Sequence, residues 1–233
     1  MLWLSRTCTE RLVTDKPASP FAFANFRAFW IAKLASTLGS MMLVVVLGWQ
    51  VYDLARETMA PREAAFLLGM VGLAQFLPLF ALTLVVGHVA DRVDRRFIAR
   101  AAVALELGCA VALGLLAMTG GVTMVALFIV AVLLGVGRAF ASPSLSALAP
   151  NLVPRAVLPT AIAWNSISWQ VGAVAGPPLG AFLYAGAAYL PYFTAAGLFA
   201  LAFIGLMAIG EVPRPPRSEL SPWRSTVEGL SYI

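Results

Sequence analysis

A carboxylic acid and a guanidinium each stand inside a long apolar run of this chain. Glu106 lies in the run 97–119, and Arg138 lies in the run 122–144. Because a helix rises 1.5 Å per residue, Glu106 would be about 14 Å into a helix that began at residue 97. Ionisable groups at that depth of a bilayer are costly, so each is a candidate functional residue.

Several roles are open for these polar residues. Glu106 could carry a proton, pair with a cation or stay neutral in a packed interface. Arg138 keeps its charge and needs a wet cavity or hydrogen-bond partners, either in a transport pathway or as a structural anchor. Asn165 and Gln170, in the run 160–184, fit either interhelical hydrogen bonds or the lining of a cavity.

Two further segments combine special residue types at regular spacing. Residues 87–96 hold Asp91 and three arginines between two apolar runs. Residues 172–180 place a glycine at every fourth position, which makes a flat helix face that a neighbour can approach closely. Pro177 and Pro178 remove backbone donors there and favour a bend. The segment suits a helix that moves during a conformational cycle or a tight helix–helix contact.

The elements that must position these residues are membrane-spanning helices. Hydrophobic residues make up 61% of the chain and charged residues 12%, about half the charged share of a soluble domain. Six apolar runs are long enough to cross a bilayer, which takes about 20 residues of helix. In lipid the backbone must satisfy its own hydrogen bonds, so these runs are helices and not strands. The predicted spans are 28–51, 64–87, 97–119, 122–144, 160–184 and 189–210.

The distribution of basic residues predicts the orientation of these helices. If the spans alternate, twelve of the sixteen Lys and Arg residues fall on one side and only Arg56 and Arg62 on the other. By the positive-inside rule, both termini are cytoplasmic. We expect a multi-pass protein of the cell membrane with a cytoplasmic tail (1–26), a six-span bundle (27–210) and a cytoplasmic linker that leads into an interfacial helix (211–233).

The composition argues against several other classes of protein. The net charge of +5 is explained by membrane-orienting arginines, so no nucleic-acid partner is expected. Two isolated cysteines and one histidine indicate no metal site, and no cofactor is expected. His88 lies at the edge of a run, which disfavours an intramembrane serine protease. The phosphate-binding loop of an ATP-driven transporter is missing from the sequence. We therefore do not expect an enzyme.

Three motifs resemble those of the N-terminal half of a major facilitator superfamily transporter. Gly87-x-x-x-Asp91-Arg92-x-x-Arg95-Arg96 is similar to the signature after the second span, although Asp94 stands where a glycine is usual. Gly135-Val136-Gly137-Arg138 is similar to the arginine motif of the fourth span. Gly172-x-x-x-Gly176-Pro177-x-x-Gly180 resembles the fifth-span motif of proton-coupled exporters. The segments 25–30 and 158–166 look like the branch with the enterobactin exporter and macrolide-efflux proteins.

The resemblance implies an all-α fold of twelve helices in two halves, of which this chain holds the first six as a 3+3 repeat. It implies proton-coupled efflux of a lipophilic or siderophore-like small molecule by alternating access, the activity of drug-resistance antiporters. Lipid, the substrate, protons and a C-terminal six-helix half are the partners it implies. The residues it assigns to a conformational latch are Gly87, Asp91, Arg92, Arg95 and Arg96. It assigns Arg138 to the family's fourth-span arginine motif. With Glu106, Asn165 and Gln170, which stand out only as polar residues inside apolar runs, Arg138 completes the set of candidates for proton coupling or the transport pathway.

Two other functions stay open. The chain could be a six-span membrane protein without transport activity of its own. It could also be a half-transporter that needs a second copy or a separately encoded C-terminal half. The proline-rich linker 211–222 leads into only a few residues of a new helical pattern, so we expect further chain to follow it.

Overall fold

Six long helices make up most of the part of the chain that the structure, a computed structural model, describes: residues 19–210, without the side chains of 83–85 and 87–92. No strand occurs among these residues. The prediction of an all-α protein with six spans is confirmed; the linker 211–233 and residues 1–18 of the tail lie outside the described residues. The helices are α1 Ala24–Arg56, α2 Pro61–Arg92, α3 Arg95–Thr119, α4 Met124–Leu148, α5 Leu158–Gly186 and α6 Leu190–Ala208.

Five of the six helices are long and apolar enough to cross a membrane. The exception is α5, although its 29 residues would reach about 44 Å as a helix. Its first half carries four polar side chains that make it less apolar than the others, namely Asn165, Ser166, Ser168 and Gln170. The bundle therefore has one wall that is richer in hydrogen-bonding groups than the rest.

The centre of the bundle is α1, which packs against α5, α6 and α2. On the other side α4 packs against α2 and α3, and α3 also packs against α6. Because lipid is as apolar as these side chains, close packing rather than exclusion of water holds the helices together. Large side chains that are fully buried in this core include Phe29, Met42, Leu113, Leu134 and Phe199.

An aromatic cluster joins the first turns of α1 and α5. The indole N–H of Trp30 donates a 2.9 Å hydrogen bond to the backbone oxygen of Trp164. The two rings stand edge to face with centroids 6.0 Å apart. Phe21, in the 3-10 turn Pro20–Ala22 that precedes α1, contacts both rings.

The second helix is longer than its predicted span. The sequence predicts an end at Gly87, whereas α2 continues to Arg92 and only Val93 and Asp94 separate it from α3. Residues 88–92 contain no glycine or proline that would stop a helix. Asp94 then caps α3, because its side chain accepts a 2.9 Å hydrogen bond from the N–H of Arg96. This cap gives a physical reason for an aspartate where the resembled motif has glycine.

Large apolar side chains face outward from α2 and α5. Those more than half exposed include Phe66, Phe76 and Phe80 on α2 and Val174 and Phe182 on α5. Lipid or another membrane-embedded body can cover such a surface, whereas water would not be tolerated there.

Candidate functional site

Glu106 is enclosed by α3, α1 and α4, and its side chain is 1% exposed. One carboxyl oxygen accepts a 3.1 Å hydrogen bond from the hydroxyl of Ser40 on α1. Ser36, one turn earlier on α1, also lies within hydrogen-bonding reach. The other oxygen, Oε2, is buried and has no partner. A buried carboxyl with an unmet oxygen is satisfied by taking up a proton or by gaining a further donor.

Arg138 lies on α4 and is bound by α2. Its Nη2 donates a 2.8 Å hydrogen bond to the side-chain oxygen of Gln75, which is itself buried. The Nε of the same guanidinium is buried without a partner. Arg138 therefore uses only part of its hydrogen-bonding capacity in this arrangement.

Two glycines of α4 let both neighbouring helices come close to Arg138. A Cβ at Gly135 would collide with the backbone oxygen of Gln75 on α2. A Cβ at Gly137 would lie 2.9 Å from Cγ of Glu106 on α3. The order Gly-Val-Gly-Arg thus places a glutamine and a glutamate on either side of one arginine.

Glu106 and Arg138 lie on the two sides of the α3–α4 contact, near enough to interact electrostatically when both are charged, but they form no ion pair. Within the described part of the chain, the ion pair is instead between Arg96 and Asp94. Attraction between buried charges is only weakly screened, so it acts over the remaining gap. We call Glu106, Arg138, Ser40 and Gln75 the Glu–Arg cluster.

The other two predicted pathway residues lie on α5, apart from this cluster. Gln170 is exposed, and the side-chain oxygen of Asn165 is buried without a partner. Among the described residues, no hydrogen bond joins either of them to Glu106 or Arg138. The structure therefore brings together two of the four predicted residues and leaves two on a separate wall.

The glycine stripe of α5 faces α1. A Cβ added at any of its three glycines would lie 2.7–2.8 Å from a side chain of α1. The pairs are Gly172 with Thr37, Gly176 with Met41 and Gly180 with Met42. The helix runs without a break through Pro177. The close approach that the glycine spacing predicts is therefore present, and α1 is the neighbour.

The predicted latch is described only in part. Gly87, Asp91 and Arg92 lie in the last turns of α2, where the structure describes the backbone. Arg95 opens α3. Arg96 pairs with the carboxylate of Asp94 at 3.0 Å and donates a 2.6 Å hydrogen bond to the backbone oxygen of Gly210.

Arg100 extends this contact one turn further along α3. Its guanidinium donates hydrogen bonds of 3.1 and 2.8 Å to the backbone oxygen of Leu206 and one of 3.5 Å to that of Ile209. These carbonyls end α6 and have no helical N–H to satisfy them. A cation is favourable at that end of a helix. Arg96 and Arg100 therefore bind the C-terminal end of α6.

Ser40 and Gln75 are the members of the Glu–Arg cluster that the motifs do not include. Each is a polar residue inside an apolar run, which is the signal that could have found it. The sequence does not show which way each residue faces around its helix, so their partners emerge only from the packing.

Comparisons with known proteins agree with this architecture. The chain matches the family model described as transmembrane secretion effector over residues 15–223. Among solved structures it is similar to a D-xylose-proton symporter, with a TM-score of 0.65 and 16% sequence identity, over 90% of this chain and 52% of that chain. It thus spans about half the length of that symporter, and the likeness shows the fold alone. No curated protein matches the sequence.

The family match covers most of the chain, and the helix bundle has the fold of one half of a solved transporter. Family and fold together indicate a multi-pass membrane protein that is built like one half of a major facilitator transporter. The chain belongs to the transmembrane secretion effector family of the major facilitator superfamily.

Proposed function

We propose that the protein is a proton-coupled exporter of a lipophilic or siderophore-like small molecule, working by alternating access in the cell membrane with both termini cytoplasmic. The Glu–Arg cluster carries this proposal. Glu106 can be charged or neutral, and it stands beside a permanent cation inside the bundle. Such a pair suits the uptake and release of a proton. The family description, transmembrane secretion effector, supports outward transport.

Each member of the cluster has a distinct task in this mechanism. Glu106 takes up the proton on its unpartnered oxygen, while the Ser40 hydroxyl orients the other oxygen. Arg138 compensates the negative charge when the proton leaves. On α5, Asn165 and Gln170 line the substrate path, since one has an unmet buried oxygen and the other is exposed on the bundle surface.

The latch and the glycine stripe serve the conformational cycle. Asp91 lies in the last turn of α2, and with Gly87 and its arginines it holds a second six-helix body in the outward-facing state. A carboxylate at that place can accept charge-assisted hydrogen bonds or bind a helix N-terminus of the partner. The smooth α1–α5 contact at Gly172, Gly176 and Gly180, next to Pro177, lets α5 tilt against α1.

A second six-helix body is part of this proposal. The exposed apolar faces of α2 and α5 and the half-length match to the symporter support it. The body is the C-terminal half of the same protein; a second copy or a separately encoded half is the alternative. If none of these joins the bundle, the six helices have nothing to rock against and transport is not expected.

The test compares Glu106→Gln with the exposed Glu57→Gln in the complete protein, using cells loaded with a lipophilic fluorescent dye. We expect wild type and Glu57→Gln to extrude the dye until an uncoupler is added. Glu106→Gln should lose gradient-driven efflux yet still exchange internal for external dye, because it stays neutral throughout the cycle. Efflux that persists under the uncoupler, or full gradient-driven efflux by Glu106→Gln, contradicts proton coupling through this residue.

A further inference from the structure

Arg138 and Glu106 are each half satisfied, and they are bound by different helices. The guanidinium is bound by Gln75 of α2, and the carboxyl is bound by Ser40 of α1. Each keeps one buried atom without a partner, Nε on one side and Oε2 on the other. A donor and an acceptor that lie on neighbouring helices, both unmet, define a second arrangement in which they bind each other.

We propose that Arg138 exchanges partners: Gln75 retains its guanidinium on α2 while Glu106 is protonated, and the guanidinium moves to the Glu106 carboxylate when the proton leaves. Gln75 is thus a positioning residue that acts through Arg138. The inference rests on the proposed proton coupling. It adds that loss of the proton from Glu106 changes the contacts of the neighbouring helix α2.

The geometry places both partners within reach of one side chain. The absence of a Cβ at Gly137 lets the Glu106 side chain lie against α4, and its carboxyl carbon Cδ would be 3.6 Å from such a Cβ. Arg138 is the next residue, and its side chain is long and flexible. Gly135 receives the Gln75 backbone in the same way from α2. In the proposed exchange, the Arg138 guanidinium therefore turns from α2 toward α3 and does not move along the axis of the bundle.

The exchange ties the proton to the position of α2. Gln75 lies near the middle of a helix that runs unbroken from Pro61 to Arg92. Asp91 is in its last turns, at the end that we propose as the latch. When Gln75 loses Arg138, α2 loses a side-chain hydrogen bond to α4. Deprotonation of Glu106 thereby changes the interactions of α2, the helix that carries the proposed latch.

The groups that face Glu106 are compatible with an ionised carboxylate that binds Arg138. Arg138 on α4 and the Cys109 thiol on α3 interact with it electrostatically. From α1 the facing groups are the hydroxyls of Ser36 and Ser40, and the charged residue nearest to them along that helix is Lys33. The titratable residue of α6 is Tyr192, which is hydrogen-bonded to Gln50.

A double-mutant cycle tests the exchange without relying on transport. The complete protein is purified in lipid nanodiscs as wild type, Gln75→Ala, Glu106→Gln and the double variant, and thermal midpoints are measured at acidic and alkaline pH. At alkaline pH each single loss should be small, because Arg138 keeps one partner. The thermal midpoint of the double variant should drop by at least about 3 °C more than the two single drops added together. At acidic pH, Gln75→Ala alone should lose most of what the double variant loses.

The matched control is Gln50→Ala, another buried glutamine with one side-chain partner, Tyr192. It should be additive with Glu106→Gln at both pH values. If the double variant does not fold, Gln75→Glu combined with Glu106→Gln replaces it. That swap gives Arg138 a carboxylate on α2 and should be at least as stable as Glu106→Gln alone.

Additive losses of Gln75→Ala and Glu106→Gln at both pH values, or a swap that is less stable than Glu106→Gln, overturn the exchange. Either result can occur while efflux remains proton-driven, and then only this inference fails. Efflux that ignores the proton gradient, together with pH-dependent coupling in the cycle, contradicts the proposed function and leaves the exchange standing.

Discussion

Two buried groups that could satisfy each other, and do not, are the main feature at the scale of single residues. Glu106 and Arg138 each have one bonded and one unmet polar atom. An unmet buried group costs about 1–3 kcal/mol. In the exchange that we propose, the two groups bind each other and both costs are removed.

Arg138→Ala should reduce efflux by about tenfold or more, which corresponds to about 1.4 kcal/mol of lost interaction. The physical reason is that no other group then compensates the Glu106 carboxylate. Arg138→Lys should restore only part of the rate, because an ammonium lacks the planar fork that two partners can share. Dye efflux at matched expression measures this. Arg62→Ala, which removes an exposed arginine of α2, is the control and should transport normally. Wild-type efflux by Arg138→Ala would refute the assignment.

Sequence reasoning found half of the Glu–Arg cluster. Charge at membrane depth is visible in a sequence, so Glu106 and Arg138 could be predicted. Ser40 and Gln75 are visible only as polar residues inside apolar runs; their pairing with Glu106 and Arg138 could not be predicted, since a partner is defined by the rotation of one helix against another. The same limit explains α5, where Asn165 and Gln170 share a helix with the glycine motif but do not meet the cluster.

At the scale of helices, Gly176→Ala should destabilise the protein by about 1–3 kcal/mol, the usual cost of overpacking. The added Cβ would lie 2.8 Å from Cβ of Met41 and 3.0 Å from the backbone oxygen of Leu38. Gly197→Ala is the control, because a Cβ there meets nothing within 4 Å, and helix propensity favours alanine by about 0.5–1 kcal/mol. Thermal midpoints in detergent distinguish the two. Equal midpoints would mean that α5 moves away from α1 without cost.

Arg100→Ala should lower the free energy of unfolding by about 1.5–3 kcal/mol, the range for hydrogen bonds to a charged group. The terminal carbonyls of α6 at Leu206 and Ile209 would lose their donor. Arg155→Ala, an exposed arginine of the α4–α5 connection, should be close to neutral in the same measurement. A loss as small as that of Arg155→Ala would show that water replaces Arg100 as the cap.

The helices were more predictable than their ends. Six apolar runs of membrane length predict six helices, because the bilayer forces each run to satisfy its own backbone hydrogen bonds. Their termini lie outside the apolar core, where hydropathy carries no signal. There, local capping residues determine where a helix begins. The helix α2 continues to Arg92, and Asp94 caps the first turn of α3. In the sequence, Asp94 is an aspartate in a charged turn, and nothing there distinguishes a helix cap from a latch residue.

At the scale of the whole molecule, the helices differ in how much of their surface the bundle buries. Large apolar side chains are exposed on α3, α4 and α6 as well, but only 11% of the apolar window of α2 is buried, and the buried residues of α5 are alanine, serine and glycine. The proposed latch ends α2, and the proposed path runs along α5. The two helices that carry the proposed latch and the proposed path are thus the least buried ones, and we expect the proposed second body to cover them.

Topology is tested with single cysteines in a background that lacks Cys8 and Cys109. Gly121→Cys, between α3 and α4, should react with an impermeant maleimide in intact cells. Arg155→Cys, between α4 and α5, should react only after the membrane is permeabilised, because twelve basic residues hold its side in the cytoplasm. Both sites are exposed, so accessibility to the reagent is matched. The reverse labelling pattern would invert the proposed orientation.

The contact between Trp30 and Trp164 has a spectroscopic consequence. Two indoles with centroids 6.0 Å apart and an interplanar angle of 83° are close enough for their electronic transitions to couple. Such a chiral pair contributes a circular-dichroism band that neither ring gives alone. Because one ring is on α1 and the other is on α5, separation of those helices would erase the band. The intensity of this band would therefore report any movement of α1 against α5, and it can be followed in lipid without an attached label.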